Sequence, residues 1–335
     1  MQNILVTGGA GFIGSNFISY YLSKYNSIQI INLDSLTYAG SLENCVDFKN
    51  NSRYKFIEGD IRDKDLLFKI FAEYNICGVF HFAAESHVDN SISNPSIFIE
   101  TNVIGTFNVL NAAFNSWMAG PNTINDHHLK SRFHHISTDE VYGSLGDKGL
   151  FTEKTPYAPN SPYSASKASS DMIVRSYVET YGMNCTISNC SNNYGPSQHL
   201  EKLIPTVINS ALKGKDIPIY GDGLNVRDWL YVEDHCKAID LVFSSGIKGE
   251  TYNIGGKNEK TNLSIVEDIC NILDKRIPSN APHNQLIKFV KDRPGHDKRY
   301  AIDATKIEQS LGWVADNNFK KGIRKTVDWY IKKLK

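Results

Sequence analysis

Short apolar runs alternate along the first part of the chain with segments of helical period. Asn3–Thr7, Ile28–Leu33, Tyr54–Ile57, Gly78–Phe82, Phe133–Ile136 and Cys185–Asn189 read as strands buried on both faces. Between them Phe12–Tyr25, Lys64–Tyr74, Pro95–Phe114 and Pro162–Tyr181 repeat apolar positions at helix spacing. Such alternation predicts an α/β chain with a doubly wound parallel sheet. Asn94-Pro95 and Ser161-Pro162 each set an N-cap residue before a proline in the first helical turn.

Beyond about residue 190 the pattern loosens. Gly- and Pro-containing loops separate helical stretches at Leu203–Leu212, Val232–Ser244, Ile265–Leu273 and Phe319–Lys333. Residues 1–190 are therefore expected as one domain and 191–335 mainly as a smaller mixed α/β lobe, with returns of the chain to the first domain allowed. Ala119–Arg132, with its Gly-Pro step, reads as a surface loop with an exposed His127-His128 pair.

Composition narrows the classes. Thirty-six basic side chains balance thirty-six acidic ones, so no global field draws nucleic acid or an anionic membrane. An anionic ligand must then be held by local groups. The six cysteines lack CxxC spacing and read as free core thiols, with no metal site expected. No basic segment precedes the first strand and no apolar run approaches spanning length, so a cytoplasmic setting without a membrane is expected.

The first strand runs into Gly8-Gly9-Ala10-Gly11-Phe12-Ile13-Gly14, which opens the first helix. Glycines are needed where backbone must approach a pyrophosphate closely and a helix N-terminus faces the anion. The strand–turn–helix context makes this a Rossmann dinucleotide fingerprint rather than a merely tight turn. Asp34 ends the second strand, about 20 residues past the last glycine, where an acid binds a ribose 2′-hydroxyl and repels a 2′-phosphate. NAD is therefore expected over NADP. Asp60-Ile61, after the third strand, is placed to edge the adenine.

Tyr163 and Lys167 are spaced i,i+4 at a helix start and share one face. A tyrosine of ordinary pKa, about 10, is a poor base at neutral pH, and a neighbouring ammonium favours the phenolate. Ser137-Thr138-Asp139-Glu140-Val141-Tyr142-Gly143 follows the fifth strand, at the end where doubly wound sheets put ligands. Thr138 is suited to hydrogen-bond a reacting hydroxyl. Asp139 and Glu140 add two carboxylates that simple dehydrogenation lacks. An acid and a base on neighbouring carbons fit them, provided their environments hold their pKa values apart.

These motifs together resemble the extended short-chain dehydrogenase/reductase family and, within it, the dTDP-glucose 4,6-dehydratases of the rhamnose pathway. The resemblance spans Thr7–Gly14, Asp34–Gly40, Gly59–Ile61, Ala83–Asp89, Ser137–Gly143, Tyr163–Lys167, Asn192–Pro196, Glu201–Pro205, Arg227–Val232 and Asp292–His296. It implies a lyase with tightly bound NAD that acts on a nucleotide sugar. Tyr163, with Lys167 and Thr138, would drive oxidation at C4. Glu140 would then remove the C5 proton as Asp139 protonates the departing 6-hydroxyl, and hydride would return to C6.

By the same resemblance the cofactor contacts are Gly8, Gly11, Phe12, Ile13, Gly14, Asp34, Ser35, Leu36, Thr37, Asp60, Ile61, Ala83, Ala84, Thr101, Tyr163, Lys167 and Asn193. The substrate contacts are Ser86, Thr138, Asp139, Glu140, Asn192, Glu201, Lys202, Leu203, Pro218, Tyr220, Asn262 and His296, with Arg227 and Arg293 on the diphosphate. Arg227 beside Asp228, or Arg293 beside Asp292, has a plainer reading as a surface ion pair. Ser35, Asn90 and Leu200 depart from the residues common in the family. A homodimer through the two long helices is implied. Two other functions stay open at this point: a sugar-nucleotide 4-epimerase and a non-catalytic NAD-binding regulator.

Overall fold

The computed structural model describes residues 2–292, 297–316 and 318–334. Its main sheet is made of β1 (Gln2–Thr7), β2 (Ile28–Asp34), β3 (Tyr54–Glu58), β4 (Gly78–His81), β5 (Arg132–Thr138), β6 (Cys185–Cys190) and β7 (Thr251–Ile254). Their spatial order is β7-β6-β5-β4-β1-β2-β3, and every pairing is parallel. The direction of winding reverses between β1 and β4, which opens a crevice at the C-terminal ends of these strands.

Strand alternation decides what each face buries. Leu5, Ile31 and Leu33 point to one side, where α2 (Lys64–Tyr74), α3 (Pro95–Trp117) and α4 (Pro162–Tyr181) cover them with Leu67, Phe71, Leu110, Trp117 and Val174. Ile4, Val6, Ile28 and Ile30 point to the other. There they meet Phe17, Ile18 and Leu22 of α1 (Phe12–Lys24) and Cys236 and Ile239 of the helix Val232–Ser245. β3 departs from the expected burial on both faces: it has one neighbour, and none of its residues is fully buried.

The start of α4 follows the local code. Ser161 accepts from the Ser164 amide, the Ser164 hydroxyl returns a bond to the Ser161 backbone, and Pro162 takes the first position. A cap of this kind stabilises a helix by about 1 kcal/mol, and here it fixes the turn that carries Tyr163. Asn94 does not act as the expected cap; its Oδ1 takes the Ser96 hydroxyl instead.

α3 is also irregular. Ile99–Gly105 forms a π-helical turn, and the Asn102 carbonyl takes the hydroxyls of Thr106 (2.6 Å) and Ser170 (2.7 Å). The Asn102 side chain is thereby directed to the Glu85 backbone and to Ser166. At 23 residues and a mean hydropathy of 1.2, α3 is long and apolar enough to cross a membrane by those two measures, and half of it is buried. That corrects the expectation that no run reaches such length. Its inner residues serve the core, while Ile99, Ile104 and Phe107 remain exposed.

β7 has no apolar signature in the sequence. Its polar Asn253 is buried because Tyr142 donates to it and it donates to the Phe151 carbonyl. The rest of the C-terminal part packs Leu203–Leu212, Asn262–Arg276 and Phe319–Leu334 around Val207, Ile208, Ile269, Leu273, Ile323 and Val327. Small sheets join Asn192–Tyr194 to Val226–Tyr231 and Ile217–Tyr220 to Ile287–Val290. The Ala119–Arg132 segment carries a short hairpin, and His128 is buried, tilted on Trp117 and hydrogen-bonded to Ser131. Its expected exposure is thus wrong; His127 is exposed. All six thiols are free, five of them buried.

Candidate active site

The glycine loop closes tightly between β1 and α1. Gly8 has φ +71°, and a Cβ there would lie 2.6 Å from the Ala83 amide nitrogen. A Cβ on Gly14 would lie 2.3 Å from the Gly8 carbonyl oxygen. Gly11 stands at the N-cap of α1 and brings no side-chain cap, so the first-turn amides face outward without one. Asp34 ends β2 nearly buried and accepts from the Ala10 and Leu36 amides, both at 2.9 Å. Burial pushes its carboxyl above the ordinary value, and those two amides oppose the rise. Two bonds leave about half of a carboxylate's acceptor capacity for a ligand. An open helix start, side-chain-free backbone and a strand-end acid are the donor and acceptor set a dinucleotide requires.

From this loop a cavity of about 520 Å³ runs across the strand ends toward β5 and β6. Every residue expected at the cofactor lines it except Leu36, whose amide instead anchors Asp34 at a φ of +49°. Of those expected at the substrate, Ser86, Thr138, Asp139, Glu140, Asn192, Glu201 and Lys202 line it. Leu203, Pro218, Tyr220, Arg227 and Asn262 are not among the lining residues. Arg293 and His296 lie outside the described residues. The sequence reading missed Gln198 and His199, which also line the wall. They sit on an irregular segment whose position is set by tertiary folding alone.

Several lining oxygens are buried with no hydrogen-bond partner in the protein: Asp139 Oδ2, Asn192 Oδ1, Gln198 Oε1 and Glu201 Oε1. Buried polar atoms are rarely left unpaired, and four around one cavity mark a place for a hydroxyl-rich ligand.

Thr138 closes β5 and caps the short turn Asp139–Tyr142 by accepting from the Glu140 amide. Asp139 is 2% exposed. Burial, then the charges of Glu140 and Asp228, hold its carboxyl well above the usual carboxylate range, against the pull of Arg227. Ionising a carboxyl there costs several kcal/mol, so the site favours the protonated, proton-donating form of Asp139. Glu140 is only partly buried and faces the same cavity.

Lys167 is 4% exposed and donates to the Ile136 carbonyl at 2.9 Å. Burial lowers its pKa, and Asp171 opposes that fall. Burial and then Glu140 push the Tyr163 phenol well above its ordinary value. The simple expectation that Lys167 alone lowers the phenol is therefore incomplete: the protein by itself keeps the phenol protonated.

Arg227 is 7% exposed and is no surface partner of Asp228. Its guanidinium donates to the carbonyls of Val226 and Asp297 and stacks over Tyr300 at 4.3 Å. The Asp228 carboxylate takes the amides of Gly256 and Asn258. Asp60 is likewise engaged, by Arg62 at 2.7 Å.

Residues 5–326 match the model of the GDP-mannose 4,6 dehydratase family. A dTDP-glucose 4,6-dehydratase of Neisseria meningitidis serogroup B is 52% identical, over 99% of this chain and 94% of that protein. Among solved structures, the dTDP-glucose 4,6-dehydratase of Bacillus anthracis in complex with NAD is 46% identical, with a TM-score of 0.86 over 99% of this chain and 97% of that one. The UDP-glucose 4-epimerase of Thermotoga maritima also gives 0.86, at 28% identity over the whole of both chains. The fold is thus shared by proteins of both activities, so the site and not the fold must tell them apart.

Proposed function

The chain belongs to the GDP-mannose 4,6 dehydratase family, and we propose that it is an NAD-dependent hydro-lyase converting dTDP-glucose to its 4-keto-6-deoxy product and water. The observation that carries this is Asp139: a buried carboxyl next to Glu140, in one cavity with Tyr163 and Lys167. A 4-epimerase oxidises and reduces a single carbon and has no use for an acid and a base on its neighbours.

Gly8, Gly11, Gly14 and the first-turn amides of α1 would hold the diphosphate of NAD, and Asp34 its ribose. Bound NAD supplies a hydride acceptor for C4, a hydride donor for C6 and a positive charge that favours a phenolate. Tyr163 takes the proton of the 4-hydroxyl, with Thr138 and Lys167 orienting it. The C4 ketone acidifies C5, and Glu140 takes that proton. The C5–H electron pair forms the C5–C6 double bond as the C6–O bond breaks, and Asp139 gives its proton to the oxygen, which leaves as water. After reduction at C6, Tyr163 or solvent returns a proton to C5. One water leaves and the cofactor ends as it began.

In this reading residues 1–190 serve mainly NAD and 191–335 mainly the substrate. Arg227, Leu203, Pro218, Tyr220 and Asn262 are assigned to the nucleotide end, beyond the cavity wall. The free thiols fit a reducing cytoplasm, and the product class fits deoxysugar synthesis such as the rhamnose route. A panel of dTDP-, UDP-, GDP- and CDP-hexoses with product analysis tests the assignment. We expect the 4-keto-6-deoxy sugar from dTDP-glucose; appearance of the galactose epimer alone would sink it.

The outer faces of α3 and α4 carry Ile99, Ile104, Phe107 and Met172, all exposed. Pairing these helices across a two-fold axis would bury them. Sedimentation should give a dimer that Phe107→Glu shifts toward monomer; a monomer at all concentrations rejects the pairing.

A further inference from the structure

Behind Tyr163 and Lys167 lies a buried ionisable pair to which the mechanism gives no task. Asp171 follows Lys167 by one helical turn, as Lys167 follows Tyr163, so the three share a face of α4. Asp171 is 1% exposed. Its Oδ2 takes the hydroxyls of Ser137 (2.8 Å) and Tyr157 (3.0 Å). Its Oδ1 lies 3.1 Å from His135 Nε2, and the same nitrogen lies 3.5 Å from Lys167 Nζ. His135 is fully buried on β5, its ring stacked on His81 at 5.4 Å.

We propose that Asp171 is a positioning residue for the oxidation step, its carboxylate acting as the buried counter-charge that keeps the Lys167 ammonium charged behind Tyr163. A buried ammonium is costly without an opposite charge, and Asp171 supplies one from the next turn. His135 Nε2 accepts from the Lys167 ammonium at 3.5 Å, and Asp171 Oδ1, 3.1 Å from the same nitrogen, has no hydrogen-bond partner among the described residues. The ammonium keeps the Ile136 carbonyl as well and directs its remaining proton to the cavity. Neutralising Asp171 removes that counter-charge, so burial then favours the uncharged amine and Lys167 loses its proton at lower pH.

The groups facing this cluster are His81 from β4, His135 from β5, Cys190 from β6, and Tyr142, Tyr157 and Tyr163. His81 and His135 are held neutral by burial. Burial raises the Asp171 carboxyl to about 6, against the pull of Lys167, Ser137 and Tyr157. The carboxylate is thus charged above that pH and neutral below it.

The proposal rests on the oxidation assigned above, so the wild-type protein is the control: if dTDP-glucose yields no reduced cofactor with it, that assignment fails instead. Single-turnover formation of reduced nicotinamide is followed against pH in Asp171→Asn and Tyr157→Phe, with bound NAD measured in each. Asp171→Asn should keep its NAD and its KM. Its rate should fall about tenfold or more at neutral pH, as for one unit of pKa change on Lys167, with the basic limb moved to lower pH and the acid limb set by Asp171 lost. Tyr157→Phe removes a donor to the carboxylate, so its acid limb should move to higher pH. A uniform fall in rate with unmoved limbs means a structural role and overturns the proposal, as does an unchanged rate. Should Asp171→Asn not fold, an unmoved acid limb in Tyr157→Phe overturns it alone.

Discussion

Asp139→Asn combined with Glu140→Gln is expected to leave a protein that oxidises dTDP-glucose and releases no water. Asparagine preserves the shape of a residue with 2% exposure, but its amide has no acidic proton to give. Glutamine at 140 keeps the turn, whose cap is made by backbone to Thr138, and cannot accept the C5 proton. General acid and base groups each contribute roughly 10²–10⁴-fold, so elimination should drop by at least the smaller of these. Tyr163 and Lys167 are untouched, and reduced nicotinamide should build up with the 4-keto sugar. Its near-ultraviolet absorbance together with product analysis checks this. Normal turnover by the double variant would disprove the carboxylate roles.

Tyr163→Phe should act one step earlier. The phenol is the proposed base for the 4-hydroxyl, and the mechanism gives no other residue that task. The ring packs edge-on against Phe98 at 6.3 Å, a contact phenylalanine retains, so fold and bound NAD should persist. Reduced cofactor should form about 10²–10⁴-fold more slowly, and elimination should be lost with it because the C5 proton is never acidified. Unlike the carboxylate variant, this one should accumulate no keto sugar. Fast reduction of the cofactor by Tyr163→Phe would show that another group takes the proton.

Much of this was legible in the chain because the signals are local. The Gly8–Gly14 loop is a backbone requirement, and the Ser161-Pro162 cap places Tyr163 within one turn of its neighbours. Strand and helix periods recover six of the seven sheet strands, since those strands lie in a sheet covered on both sides. β7 escaped because Thr251–Ile254 is short and its polar Asn253 is satisfied only by Tyr142 and Phe151. The π-helical turn at Ile99–Gly105 escaped for a like reason: the hydroxyl that helps hold it, on Ser170, comes from another helix.

The sequence by itself determined the sheet class and the glycine loop, and it singled out the residues proposed as acid, base and phenol, because each depends on residue type and short spacing. Tertiary structure decided their protonation. The Asp139 carboxyl is pushed toward its neutral form because the folded chain strips water from it beside Glu140 and Asp228, and the Tyr163 phenol is pushed up chiefly by the same burial. It also set Asp171 and His135 behind Lys167 and turned Arg227 from an apparent surface ion pair into a buried, carbonyl-bound cation. Desolvation and through-space charge have no period along a chain, and they exist only once distant segments have closed around a group.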